Sequence, residues 1–246
     1  LQAFKMVICV CASLASPMGM ADDTSDPYVV AVNHAPPYRI IRADDGRAAY
    51  SGIYIDIATA WAERAGLKLK FVEVPFSRAL AMMEAGTADI MLGPNRTPER
   101  ETYMIYLPTP IDEEPKIFVV ADPAKTVRTY ADLSGRTIGV LDNSVYFDQF
   151  DADDALTKVP ATDYDTVFKM LSADRFCVAI GPERLARYKM RAHPDLSVSP
   201  YRVAGRPSYF AVSRKSDLAN ELDRLDMHLR SLVESGAIDT VLSDYQ

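Results

Sequence analysis

Cysteine and histidine are scarce, three of each in 246 residues. His34, His193 and His228 lie far apart and show no metal-ligand spacing, so a His/Cys metal centre is not expected. The sequence lacks G-x-S-x-G, H-E-x-x-H, a Walker A loop and C-x-x-C, which removes the common signatures of hydrolase, zinc-peptidase, nucleotide and redox chemistry. Long apolar runs are missing too. MVICVCASLA, near the start, is too short to span a bilayer. Nor is there a basic surplus, since 27 Lys and Arg face 34 Asp and Glu for a net charge of −7. An acidic chain without a basic stripe argues against nucleic acid and against electrostatic attachment to anionic membranes. No internal repeat or long low-complexity run occurs.

What is present is the composition of a folded protein, 48% hydrophobic and 25% charged, in a chain long enough for one large domain or two modest ones. The first twenty or so residues stand apart. Lys5 is the only charge before Asp22, and Gly19-Met20-Ala21 puts small residues at −3 and −1 of a cleavage site. A secretory signal peptide over 1–21 is the expectation, with an apolar N-terminal strand as the alternative. Val10 before Cys11 is a poor match for lipidation. Removing this leader takes away Lys5 and no acid, leaving 26 bases against 34 acids, a net charge of −8. Only Cys177 would remain, so no intrachain disulfide could form; in RFCVAI it reads as a buried small hydrophobe.

Strand and helix patterns alternate along the rest. PYVVAVN (27–33) reads as a strand, and YIDIATAWAERAG as a helix with an apolar stripe at Ile55, Ile57, Ala58, Trp61 and Ala65, ended by Gly66. LKLKFVEV alternates as a strand. PFSRALAMMEAG reads as a helix with Ser77 as N-cap and Gly86 as C-cap, and ADIML as a short buried strand. The pattern restarts after 108–115: KIFVVAD and RTIGVLDN as strands, YDTVFKMLSAD as a helix, FCVAIG as a strand, PERLARYKMRA as a helix. SYFAVS (208–213) is a last strand before a long helical C-terminus. Such alternation implies parallel pairing with right-handed crossovers, in two α/β units. Ligands of open α/β sheets bind beyond the carboxyl ends of the strands.

The stretch from Gly52 to Pro110 carries most of the functional signal. A polar turn, GPNRTPER, leaves Arg100 just after a strand end, the layout of a concave anion site. A guanidinium grips a carboxylate through two parallel hydrogen bonds that lysine cannot reproduce. The plain alternative is a surface arginine paired with Glu99 or Glu101. Arg78 sits in a helix first turn, where the dipole disfavours a cation, so it faces either the cleft or an acidic partner. His34, in the N-H-A-P-P-Y turn at the end of the first strand, is a candidate ligand contact; otherwise it is a loop residue.

T-x-x-R followed by an apolar turn and a proline, after a helix ending in A-G-x-x-D-I, closely resembles the type-3 extracellular solute-binding family that feeds polar amino acids to ABC importers. The ending LVESGAIDTVLSDY is similar as well, and the resemblance runs from about Tyr28 to Tyr245. It implies a two-lobed periplasmic-binding-protein fold (type II, Venus-flytrap) with two hinge crossings. It also implies that Arg100 grips a ligand carboxylate, with loop groups of Gly93 and Asn95 beside it. Phe76 falls where an aromatic covers the ligand side chain, although it also serves as a staple before its helix. G-V-L-D-N-S-V matches the family's strand and turn into a helix, so Asn143, Ser144 and Val145 would present side chains and N–H groups at a helix N-terminus, or simply cap it. The chain departs from the family at Pro182, where an aspartate usually holds the ligand's ammonium. G-P-E reads physically as a cap, Pro at N1 and an acid in the first turn, and Glu183 is the candidate replacement.

The expectation is therefore a monomeric periplasmic protein needing no cofactor. It closes on a small carboxylate-bearing solute or amino acid and passes it to an inner-membrane ABC permease. Lobe one would comprise 27–111 with 207–246 and lobe two 115–205. Two rivals share the scaffold: a periplasmic dehydratase using Glu183 as its acid, and a sensor that docks to a receptor.

Overall fold

The computed structural model describes residues 26–245. The signal-peptide segment lies outside the described residues. Strand β1 (Tyr28–Val32) leads through a turn to a hairpin, β2 (Ile40–Asp44) and β3 (Arg47–Ser51), that the apolar pattern alone does not announce. Its D-D-G turn does: Asp45 and Gly46 both take positive φ, 45° and 76°, as a tight hairpin demands.

Helix α1 (Ile53–Ala65) buries the expected stripe and stops at Gly66 in the left-handed region, φ 67°. Strand β4 (Leu69–Glu73) and helix α2 (Phe76–Ala85) follow. Ser77 is not the cap of α2. The helix begins two residues earlier than that cap implies, at Phe76 with Pro75 as N-cap, and no side chain caps it. β5 (Ile90–Leu92) and β6 (Met104–Tyr106) flank the turn that carries Arg100. These strands pair in the order β4-β1-β5-β12-β6, and β12 (Phe210–Ser213) arrives from the far end of the chain.

The second five-stranded sheet has the order β11-β7-β10-β8-β9. Its members are β7 (Asp112–Val120), β8 (Thr137–Leu141), β9 (Thr157–Ala161), β10 (Val178–Pro182) and β11 (Ser197–Ser208). The short helix α3 (Asp148–Asp151) lies between β8 and β9, while α4 (Tyr164–Ser172) and α5 (Glu183–Met190) bracket β10. Parallel pairing holds inside each sheet for β4-β1-β5 and for β9-β8-β10. The strands nearest the crossings, β7, β11 and β12, pair antiparallel. β7 and β12 enter each sheet from the other one and run against its βαβ strands, whereas β11, antiparallel to β7, runs with them.

The chain passes between sheets twice, at Leu107–Ile111 and at Tyr209. After β12 come α6 (Leu222–Glu234) and α7 (Ala237–Asp244), hinged by Gly236 in the left-handed region. These helices return to the first sheet's side. Trp61, fully buried, donates from its indole N–H to the Leu225 carbonyl at 2.9 Å, and Asp226 accepts from the Thr109 N–H at 2.8 Å. Cys177 is half-buried, not buried; it immediately precedes β10, its N–H donating to Thr137 Oγ1 at the sheet's end.

Candidate functional site

Side chains from both sheets enclose a cavity with about 640 Å³ of empty space, part of it open to solvent. The first sheet's side contributes Phe76, Gly93, Asn95 and Arg100, together with Tyr38, Arg39 and Tyr54. The second contributes Ser144, Val145, Tyr146, Tyr164, Pro182 and two charged residues of β7, Glu114 and Lys116.

Arg100 is only 4% exposed, so the surface-arginine alternative does not hold. It opens a single 3-10 turn after β5, and its guanidinium is fixed by backbone carbonyls: one N–H donates to Asn95 at 2.7 Å and another to Asn143 at 2.7 Å. The Phe76 ring lies 5.5 Å from the guanidinium carbon, within cation–π range. Phe76 thus sits beside the arginine, at the first residue of α2. Asn95 is held in turn, with Tyr106 Oη donating to its carbonyl at 3.0 Å and its own amide donating to the Val145 carbonyl at 2.5 Å. Two of these bonds, Arg100 to Asn143 and Asn95 to Val145, join the two sheets' loops directly.

Gly93 has φ +72°, and a Cβ there would lie 2.3 Å from the Tyr54 ring. Glycine is required for both reasons. Its backbone N–H donates to Tyr209 at 3.0 Å, tying the site loop to the second crossing.

The 143–145 segment does not sit at a helix N-terminus as expected. α3 starts only at Asp148, because Asn143 takes the left-handed conformation (φ 54°) and the Tyr146 N–H is claimed by the Asp151 carboxylate at 2.9 and 3.0 Å. The segment is a loop whose Asn143 carbonyl, not its side chain, reaches Arg100; that side chain bonds Asp142 at 3.0 Å. Ser144 and Val145 line the cavity.

Three other candidates lie elsewhere. Arg78 is exposed on α2. Glu183 is spent on Arg187 (2.8 Å) and Arg202 and does not line the cavity. It is the first residue of α5, with Pro182 as N-cap at the end of β10, one position later than the sequence pattern suggests. His34 accepts the Ile41 N–H on Nδ1 at 3.1 Å and faces Asp165 across the sheets at 4.0 Å, lining a separate open hollow with Glu73 and Asp163. Desolvation, then Lys189, lowers its pKa below 6.5, against the opposing pull of Asp165.

Sequence reasoning missed Arg39, Glu114, Lys116 and the tyrosines. Arg39 donates to the Leu92 carbonyl at 2.8 Å and stands 5.7 Å from the Tyr54 ring centre; burial lowers its pKa to about 10, so it stays cationic at neutral pH. Burial raises the Tyr54, Tyr146 and Tyr164 phenols, which remain neutral donors. Glu114 and Lys116 are 6% and 7% exposed and share one face of β7, two residues apart. One Glu114 oxygen accepts the Arg184 N–H in the first turn of α5. The other is buried with no hydrogen-bond partner, as is Tyr38 Oη. The legible signal was the charged pair E-E-P-K at the mouth of an apolar strand.

The arrangement can hold an anion at Arg100 and offer further charged and phenolic groups to the remainder of a small solute. The profile of bacterial extracellular solute-binding proteins, family 3, matches residues 28–245. No curated protein sequence matches the chain. Among solved structures, an amino acid ABC transporter substrate-binding protein, AbpA from Streptococcus pneumoniae bound to L-arginine, is 22% identical with a TM-score of 0.75, over 89% of this chain and 94% of that one. A Salmonella typhimurium periplasmic binding protein described for high arginine specificity is 20% identical with a TM-score of 0.76, over 89% and 99%. A histidine kinase sensor domain with similarity to periplasmic binding proteins is 19% identical with a TM-score of 0.77, over 89% and 95%. These likenesses show the fold, the two-lobed α/β architecture of periplasmic binding proteins. The family match covers nearly all the described residues: the chain belongs to the bacterial extracellular solute-binding proteins, family 3.

Proposed function

We propose that the protein captures a small carboxylate-bearing solute, an amino acid or a related acid, in the cavity between its lobes. Lobe one would be 27–111 with 207–246, and lobe two 115–205, closing about the two passages between sheets at Leu107–Ile111 and Tyr209. The observation that carries this reading is the buried guanidinium of Arg100 lining a cavity to which both lobes contribute. A buried cation gains most from an anion delivered to it, and a carboxylate matches its fork. Gly93, Asn95, Phe76, Ser144 and Val145 are the proposed neighbours of the solute. Closure is driven by the solute's higher affinity for the closed state. Family membership supports export to the periplasm and delivery to an inner-membrane ABC permease.

Binding is favoured over dehydration because Glu183, the acid that reading requires, is engaged by two arginines away from the cavity. A sensor would use the same site and differ only in its partner. Titration calorimetry with carboxylate solutes provides the test. Arg100→Ala should weaken binding by about 2–5 kcal/mol, as for other buried charged pairs. Unchanged affinity would remove Arg100 from the site.

A further inference from the structure

The polar groups of β7 are not used by the proposed reading, yet they are built into the cavity wall. Glu114 is nine-tenths buried, accepts one backbone N–H at the start of α5, and leaves its second oxygen without a partner. Lys116, equally buried and on the same face, makes no hydrogen bond or ion pair among the described residues. The Glu114 carboxylate and the Lys116 ammonium, two residues apart on one strand, feel each other's charge but close no hydrogen bond or ion pair. Tyr38 Oη, on the opposite wall, is also unpartnered. Buried groups left in this state cost free energy that a bound molecule can return.

The charge on the lining sharpens the point. Arg39, Arg100 and Lys116 face a single carboxylate, Glu114, since the neighbouring Asp112 is neutralised by Arg184 at 2.8 Å. A solute with one carboxylate leaves this wall positive. A solute with a cationic side chain makes it more so. Resting on the proposed role of Arg100, we infer that β7 forms a second charged subsite, in which Lys116 takes a second anionic group of the solute and Glu114 takes a hydrogen-bond donor carried between the two. The solute class is a short dicarboxylate bearing an amino or hydroxyl group, of which acidic amino acids are the simplest examples. Pro182, which offers no charge, then needs no replacement on its own strand: the acceptor comes from β7. Burial favours the same pairing, because it pushes the Lys116 ammonium down and the Glu114 carboxyl up, and opposite charges on the solute relieve both.

Calorimetric titration with L-glutamate, L-aspartate, L-glutamine, L-arginine, succinate and glutarate provides the test. Glutamate or aspartate should bind at least ~10-fold more tightly than glutamine and arginine, because a site that leaves buried charges unpaired rejects the analogue. Lys116→Met should erase that preference, and Lys116→Arg should retain it. Glu114→Gln should remove the advantage of an amino acid over its deaminated dicarboxylate. A native circular-dichroism spectrum shows that a variant is folded. Glutamine or arginine binding as tightly as glutamate, or Lys116→Met binding like wild type, would overturn the subsite. If single carboxylates bind through Arg100 and a second adds nothing, the subsite alone fails. If no carboxylate binds, the Arg100 reading fails with it.

Discussion

Single residues carry the site, and the backbone around them is what makes each one necessary. Arg100 was legible in the sequence because T-P-E-R follows a strand end, but its burial was not: that comes from carbonyls of Asn95 and Asn143, one from each side of the cavity. Gly93 was legible only as a loop glycine; its positive φ and the Tyr54 ring behind it are features of the fold. Gly93→Ala should therefore cost about 1–3 kcal/mol from the left-handed backbone and the ring clash together. Urea unfolding would show this as a lower midpoint with an unchanged slope. Wild-type stability in that variant would mean that the loop relaxes freely and that glycine serves no purpose there.

Among elements, β7 best shows where sequence reading stops. Its apolar half, KIFVVAD, announces a strand, yet the strand runs back to Asp112 and only its pairing with β10 and β11 turns Glu114 and Lys116 inward. Glu114 also meets the start of α5, where a carboxylate is favoured by free N–H groups and the helix dipole. Gly205 of β11 packs its Cα onto the Glu114 backbone, where a Cβ would come within 2.6 Å. None of this has a local sequence signature, since partners 60 and more residues apart create it.

The β1–β2 turn offers a pH test of the same kind of placement. Neutral His34 accepts the Ile41 N–H, and its pKa is lowered below 6.5, chiefly by desolvation and then by Lys189, despite Asp165, Glu73 and Asp163 nearby. The folded state therefore binds fewer protons than the unfolded chain in the window just below that value. The stability His34 contributes is complete above pH ~6.5 and is lost as pH falls through the lowered folded-state value. Urea midpoints measured between pH 7.5 and 5 should fall more steeply for wild type than for His34→Asn, whose side-chain oxygen stands where Nδ1 does and does not titrate. Equal slopes would show that His34 is not responsible.

At the scale of the whole molecule, alternation and apolar periodicity were enough to indicate two α/β units, and the family resemblance supplied their arrangement. The antiparallel strands at the crossings were not foreseen, because a strand that changes sheets looks locally like any other. The cross-sheet bonds from Asn95 to Val145 and from Arg100 to Asn143 hold the two sides together. Asn95→Ala removes one of them without touching either sheet. It should shift the solute-free protein toward a more open form, read as a larger radius of gyration in small-angle scattering, with saturating solute restoring compactness. No change in either condition would deny that bond a role in closure.

Whether the cavity binds a carboxylate through Arg100 is decided by a thermal-shift comparison of wild type and Arg100→Ala. The panel should span amino acids, dicarboxylates, aromatic acids and amines. A solute at a hundred times its Kd adds about 2.7 kcal/mol, which raises the melting temperature by roughly 5–10 °C in a chain of this size. Such shifts are expected with carboxylates in the wild type, largest for dicarboxylates with a donor group, and none in Arg100→Ala. Shifts with amines or uncharged solutes alone, or shifts that survive the loss of Arg100, would contradict this binding mode.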